Sequence, residues 1–173
     1  CERVGRRREV RLAGPEVGRA LEALGAIAPP KPTTSLRAWT HGEALRAARS
    51  CYDHLAGRAG VALADGLVAQ HVIVPGDGAF VITDRGTDRL AGLGLDVEAI
   101  LGGRRATARA CVDWSERRPH VGGALGAALL AELLDRRWLQ RVTARGTQGR
   151  ALRITSEGRA GVRSALGVTL PER

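Results

Sequence analysis

The string Ala-Arg-x-Cys-x-Asp occurs twice in this chain, as Ala48-Arg49-Ser50-Cys51-Tyr52-Asp53 and as Ala108-Arg109-Ala110-Cys111-Val112-Asp113. Each copy is followed by a helical stretch, a short apolar strand, a Gly-containing turn and then Ile-Thr-x-x-Gly, beginning at Ile82 and at Ile154. Two matches in the same order at corresponding places indicate an internal duplication, which has to be found before any other assignment is safe. Whatever fold one copy adopts, the other adopts a relative of it. Two of the three cysteines therefore occupy equivalent positions.

The apolar stock is Ala, Leu and Val, with one Phe, one Tyr and no Met. Small aliphatic residues suit close helix packing, so a helix-rich chain is expected. No run approaches the roughly 18 apolar residues of a membrane span, and no signal peptide is visible. The first residue is not Met and already sits in a patterned segment, the expectation being a fragment of a longer protein. The net charge of +9 is carried almost entirely by Arg. A GC-rich genome accounts for Arg in place of Lys but not for the excess of positive charge, which favours polyanions and nucleic acid first among them. Three cysteines do not make a disulfide framework, so a reducing cytoplasm is expected.

Residues 1–12 read as an Arg-rich hairpin, and Pro15 opens a helix whose Val17, Ala20, Leu21, Leu24 and Ile27 form one apolar stripe. Pro29, Pro30 and Pro32 mark a stiff linker. In the first unit Leu45, Ala48, Tyr52 and Leu55 fall on one helical face, a second helix covers Val61 to Ala69, and a hairpin brackets Pro75-Gly76-Asp77-Gly78. Thr83 reads as the cap of the next helix. In the second unit a helix from Ala106 to Trp114 carries Cys111, a long Ala/Leu helix runs from Val121 to Leu134, and two strands join through the turn Ala144 to Gly149. Thr155 or Ser156 caps the last helix. The expected fold class is α+β, mainly α, with two tandem degenerate winged-helix-like repeats after a wing hairpin and helix. Its parts are 1–28 (hairpin and helix), 29–40 (linker), 41–103 and 104–173 (the two repeats).

Arg3, Arg6, Arg7 and Arg8 are the candidate DNA contacts, since guanidinium pairs bidentately with phosphate oxygens. A second basic turn holds Arg141, Arg145, Arg150 and Arg153. Cys51 and His54, three apart on the expected helix, share a face. With Cys111 and His120 they make a conceivable ligand set for zinc or a softer metal, to which Asp53 and Asp113 could add oxygens. The alternative is that the cysteines are small residues at a duplicated packing position, with Asp53 and Asp113 paired to nearby Arg side chains. Trp114 and His120, at the charged elbow Glu116-Arg117-Arg118-Pro119-His120, could line a pocket between the units.

Gly5-Arg6-Arg7-Arg8-Glu9-Val10-Arg11-Leu12 and the helix after Pro15 resemble the wing and following helix of an ArsR/SmtB-type winged-helix repressor. The strings Cys51-Tyr52-Asp53-His54-Leu55-Ala56-Gly57 and Cys111-Val112-Asp113-Trp114-Ser115-Glu116-Arg117-Arg118-Pro119-His120 resemble the C-terminal extension of a longer subgroup of those regulators. The resemblance implies a homodimeric repressor-type transcription factor that binds double-stranded DNA through the wing and a recognition helix upstream of it, under control of an unidentified small effector. It implies no enzyme and no membrane partner. The sensing residues expected are Cys51, Asp53, His54, Cys111, Asp113, Trp114 and His120, with a metal ion at Cys51, His54 and Cys111 as one form of effector. A cysteine- or metal-dependent enzyme, or a ligand-free interaction module, stands as the alternative.

Overall fold

The computed structural model describes residues 2–4, 7–9, 13–29, 35–144 and 147–172. A short antiparallel pair, β1 (Glu2–Val4) and β2 (Arg7–Glu9), precedes helix α1 (Pro15–Ile27). Proline opens α1 because its fixed φ suits a first turn that needs no N–H. Helix α2 (Leu36–Ala47) is capped by Ser35, whose hydroxyl accepts from the Ala38 N–H at 3.2 Å. Its first turn lies inside the span 29–40 read as a linker, and the Ser35 cap is the reason the helix starts there.

Two similar units follow. The first comprises β3 (Arg49–Cys51), β4 (His54–Ala56), α3 (Arg58–Ala69), β5 (Ile73–Pro75), β6 (Phe80–Ile82), α4 (Asp84–Gly92) and the short α5 (Val97–Gly102). The second comprises β7 (Arg109–Val112), β8 (Pro119–Gly122), α6 (Gly123–Asp135), β9 (Leu139–Ala144), β10 (Thr147–Ile154) and α7 (Ser156–Leu166). The architecture is thus mixed α and β. Both Ala-Arg-x-Cys-x-Asp strings lie on hairpin strands, not on the helices expected over Ala48–Leu55 and Ala106–Trp114. Tertiary pairing overrides the helical preference of Ala and Arg: Arg49 pairs with Ala56 on one side and with Ala151 of β10 on the other.

The duplication extends to individual contacts. Gly57 and Gly123, which lead into α3 and α6, both have φ of 77°, a left-handed value that favours glycine. Thr83 and Thr155 each accept the N–H of the glycine three residues on, Gly86 and Gly158, at 2.9 Å. Each hydroxyl also lies within hydrogen-bonding distance of carbonyls just beyond the preceding helix, those of His71 and Val72 for Thr83 and of Arg137 and Trp138 for Thr155. His71 and Arg137, in turn, share left-handed φ values of 53° and 58°. Replacing either Thr83 or Thr155 with Ala is expected to cost about 1 kcal/mol, read from the urea midpoint.

Each unit's first helix packs on the other unit's hairpin, α3 on β8 and α6 on β4. The leucines of the two units meet in one core, with Leu63 and Leu67 of α3 joined by Leu125, Leu129 and Leu133 of α6. β10 closes a four-stranded sheet of order β4-β3-β10-β9. No helix among the described residues is long and apolar enough to cross a membrane.

Candidate functional site

Cys51 and His54 stand directly opposite each other across the tight turn Tyr52-Asp53, and Cys111 and His120 stand opposite each other across the longer turn 113–118. Directly opposed residues of an antiparallel pair project from one face, so each hairpin offers one thiol and one imidazole together. The two hairpins meet along β4 and β8. A donor atom from each of Cys51, His54, Cys111 and His120 then lies within 4.8 Å of every other, and all four residues are buried. The sequence expectation that these four converge holds, but cross-strand register brings each pair together, not a helical face.

Hydrogen bonding leaves this cluster incomplete. His54 Nε2 and both ring nitrogens of His120 are buried without a hydrogen-bond partner, an arrangement that native interiors avoid. His54 Nδ1 lies 3.1 Å from Asp53 Oδ1. His120 Nδ1 lies 3.5 Å from Asp113 Oδ2. The second residue after each repeated cysteine is therefore the carboxylate beside the imidazole. Between the sulfurs, the Cys51 thiol favours the Cys111 thiolate; against the penalty of burial, the imidazoles of His120 and His54 help to hold the Cys111 pKa low. The same contact with Cys111, together with burial, pushes the Cys51 thiol up. Burial disfavours the His54 imidazolium, and Cys111 and Asp53 more than offset it, raising that pKa.

The two carboxylates differ in setting. Asp53 is held by a bidentate pair from Arg105 at 2.6 and 3.0 Å. Asp113 is fully buried and nearly saturated: Oδ2 accepts from Arg49 at 3.0 Å and from the Gly57 N–H at 2.6 Å, and Oδ1 accepts from the Ser115 N–H and hydroxyl and the Glu116 N–H. Burial raises its pKa, but the Arg49 charge and the Ser115 and Gly57 hydrogen bonds prevail and bring it down to about 2. Both aspartates thus pair with arginines as well as flanking the histidines.

Arg49, the second residue of the repeated string, is a residue beside the cluster that sequence reasoning missed, although its repetition was the available signal. It is fully buried and also reaches Glu22 Oε2 of α1 at 3.1 Å. Arg150 holds the other Glu22 oxygen at 2.7 Å and the Ser50 carbonyl at 3.0 Å, so this member of the second basic turn is engaged within the chain although its side chain is half exposed. Trp114 and His120 take different places. The Trp114 ring lies 4.7 Å from the Arg49 guanidinium carbon, while His120 turns into the cluster. Of the hairpin arginines, the backbones of Arg3, Arg7 and Arg8 lie in β1 and β2. Arg6, and the side chains of the other three, lie outside the described residues.

A cleft of about 430 Å³ opens beside the cluster, with Cys51, His54 and Cys111 in its wall and Arg104, Arg105 and Arg109 around it.

No protein-family model matches the chain, and no solved structure is similar to it. It is 40% identical over 169 residues to the uncharacterized HTH-type transcriptional regulator YdfF of Bacillus subtilis (strain 168), an alignment covering 98% of this chain and 73% of that protein. The chain belongs to the family of HTH-type transcriptional regulators.

Proposed function

We propose that this chain is the dimerisation and effector-sensing part of a repressor-type, DNA-binding regulator of the ArsR/SmtB winged-helix kind, working in the cytoplasm as a homodimer. The two units are degenerate winged-helix-like repeats spanning 41–103 and 104–173, and their shared hairpin junction is the sensing site. One observation carries the sensing role: the duplicated Cys and His pairs converge in a buried cluster in which His54 Nε2 and both His120 ring nitrogens lack hydrogen-bond partners.

Helix α1 supports both dimerisation and transmission. Its Gly18, Glu22 and Gly25 face the body of the chain, where a Cβ at Gly25 would lie 3.0 Å from Trp114 Cβ. Its apolar stripe points outward, Leu24 being 60% and Ile27 79% exposed. An outward apolar stripe suits a second copy of the helix. Glu22, by contrast, is clamped by Arg49, which shares the Asp113 carboxylate that faces His120. A change at the cluster therefore reaches α1 through three side chains. Allosteric control requires that an effector favour one of two such states.

Arg3, Arg6, Arg7 and Arg8 bind DNA phosphates. Replacing all four with Ala is expected to weaken duplex DNA binding and to flatten the slope of log K against log salt by about 0.9 for every phosphate no longer neutralised. Fluorescence anisotropy over a salt series measures this, and an unchanged slope contradicts the assignment.

A further inference from the structure

Resting on the reading of the hairpin junction as the sensing site, we propose that its ligand is a single divalent cation of the zinc class. Cys51 Sγ, Cys111 Sγ and the Nε2 atoms of His54 and His120 hold it in a tetrahedral S2N2 shell.

The donor chemistry selects the ion. Two thiolates and two imidazoles suit zinc, whereas calcium and magnesium require oxygen ligands. A tetrahedron with metal–sulfur bonds of ~2.3 Å and metal–nitrogen bonds of ~2.0 Å has edges of about 3.3–3.8 Å. A donor atom from each of the four residues already lies within 4.8 Å of the others, so closing on an ion asks for a contraction of at most about 1–1.5 Å, within reach of side-chain rotation. One divalent charge balances two buried thiolates, which removes the cost of unpaired buried charge. The partnerless Nε2 atoms of His54 and His120 acquire the bond that burial otherwise denies them.

The surroundings are those of a metal centre. Ligating histidines ordinarily give the second ring N–H to a carboxylate, which fixes the tautomer and aims the free nitrogen. Asp53 stands in that place for His54 at 3.1 Å, and the Asp113 carboxylate lies 3.5 Å from His120 Nδ1, near enough to take its N–H once the ring is fixed on a metal. The backbone closes in as well: a Cβ at Gly122 would lie 3.3 Å from His54 Nε2 and 3.4 Å from Cys111 Cβ. The cleft lined by Cys51, His54 and Cys111 offers an entry path. Duplication thus has a chemical outcome, since each hairpin carries half of the ligand set and its own supporting carboxylate.

The test is a cobalt(II) titration of the reduced, chelator-treated chain, followed by displacement with zinc(II). Expected are the intense visible bands of tetrahedral cobalt with thiolate charge transfer, saturating at one equivalent and abolished by zinc. Cys51→Ser and Cys111→Ser are expected to remove the charge-transfer bands while far-UV circular dichroism remains that of the folded apo chain. Should either serine variant fail to fold, Asp53→Asn provides the second measure, because Asp53 lies at the margin of the cluster. It is expected to retain the cobalt spectrum and lose about 10–100-fold in affinity. Absence of tetrahedral bands in the folded, reduced wild-type chain overturns the assignment, as does an unchanged spectrum in the folded Cys51→Ser, Cys111→Ser double variant. The sensing role fails separately: one zinc bound as described with no effect on DNA affinity upholds the metal site and contradicts the regulatory reading.

Discussion

Replacing Arg49 with Met is expected to destabilise the fold by about 3–5 kcal/mol, the penalty for removing one partner of a buried ion pair. Arg49 and Asp113 are both fully buried, and Glu22 is only 6% exposed. The single guanidinium lies between the two carboxylates, 3.0 Å from Asp113 and 3.1 Å from Glu22. Without it, Asp113 keeps the hydrogen bonds from Gly57, Ser115 and Glu116 but loses its countercharge. Glu22 retains Arg150, which is more than half exposed and can follow the carboxylate toward solvent. Loss of Arg49 should therefore loosen α1 as well as lower stability. With Trp39 and Trp138 changed to Phe, Trp114 fluorescence reports on that region, since Trp114 stacks on Arg49 and borders Gly25 of α1. Urea unfolding gives the free energy and the Trp114 emission gives the local change. A loss below about 1 kcal/mol, the range of exposed ion pairs, contradicts the buried triad.

Gly126→Ala should also be strongly destabilising, for steric reasons. A Cβ there would run into the Val121 carbonyl oxygen, and would lie 2.9 Å from its carbon and 3.0 Å from His54 Cβ. Neither the Val121 carbonyl nor the hairpin behind it can yield without opening the junction of β8 and α6. Overpacking typically costs 1–3 kcal/mol where side chains can shift, so a collision with backbone is expected to cost about 3 kcal/mol or more. Gly60 is the counterpart in the first unit, its Cβ falling 2.5 Å from the Leu55 carbonyl oxygen and 3.5 Å from His120 Cβ. The duplicated glycine thus lets each helix approach the other hairpin's histidine. Gly92→Ala supplies the opposite sign: nothing lies within 4 Å of a Cβ in that part of α4, and the exchange is expected to stabilise by about 0.4–1 kcal/mol. Equal effects at Gly126 and Gly92, measured by thermal or urea unfolding, contradict the packing argument.

Local chemistry explains which features were readable in the sequence. The Thr83 and Thr155 caps, the proline start of α1 and the β5–β6 hairpin depend on neighbours a few residues away, and each forms where the pattern placed it. The strands that carry the cysteines depend on distant partners, notably Ala151 opposite Arg49. Their alanines and arginines therefore read as helix. Helix α1 was legible only as an apolar stripe, and nothing in the pattern marked Gly18, Glu22 and Gly25 as the residues turned inward. A buried glutamate makes sense only once Arg49 and Arg150 are in place. The convergence of Cys51, His54, Cys111 and His120 was visible despite the wrong secondary structure, because duplication pairs the residues whichever element carries them.

The most direct measurement is zinc K-edge X-ray absorption on the reduced chain loaded with one equivalent of zinc(II). Expected is a first shell of two sulfurs at about 2.3 Å and two nitrogens at about 2.0–2.1 Å. A shell of oxygen and nitrogen alone, or one of four sulfurs, would contradict a site assembled from one Cys and one His of each duplicated hairpin.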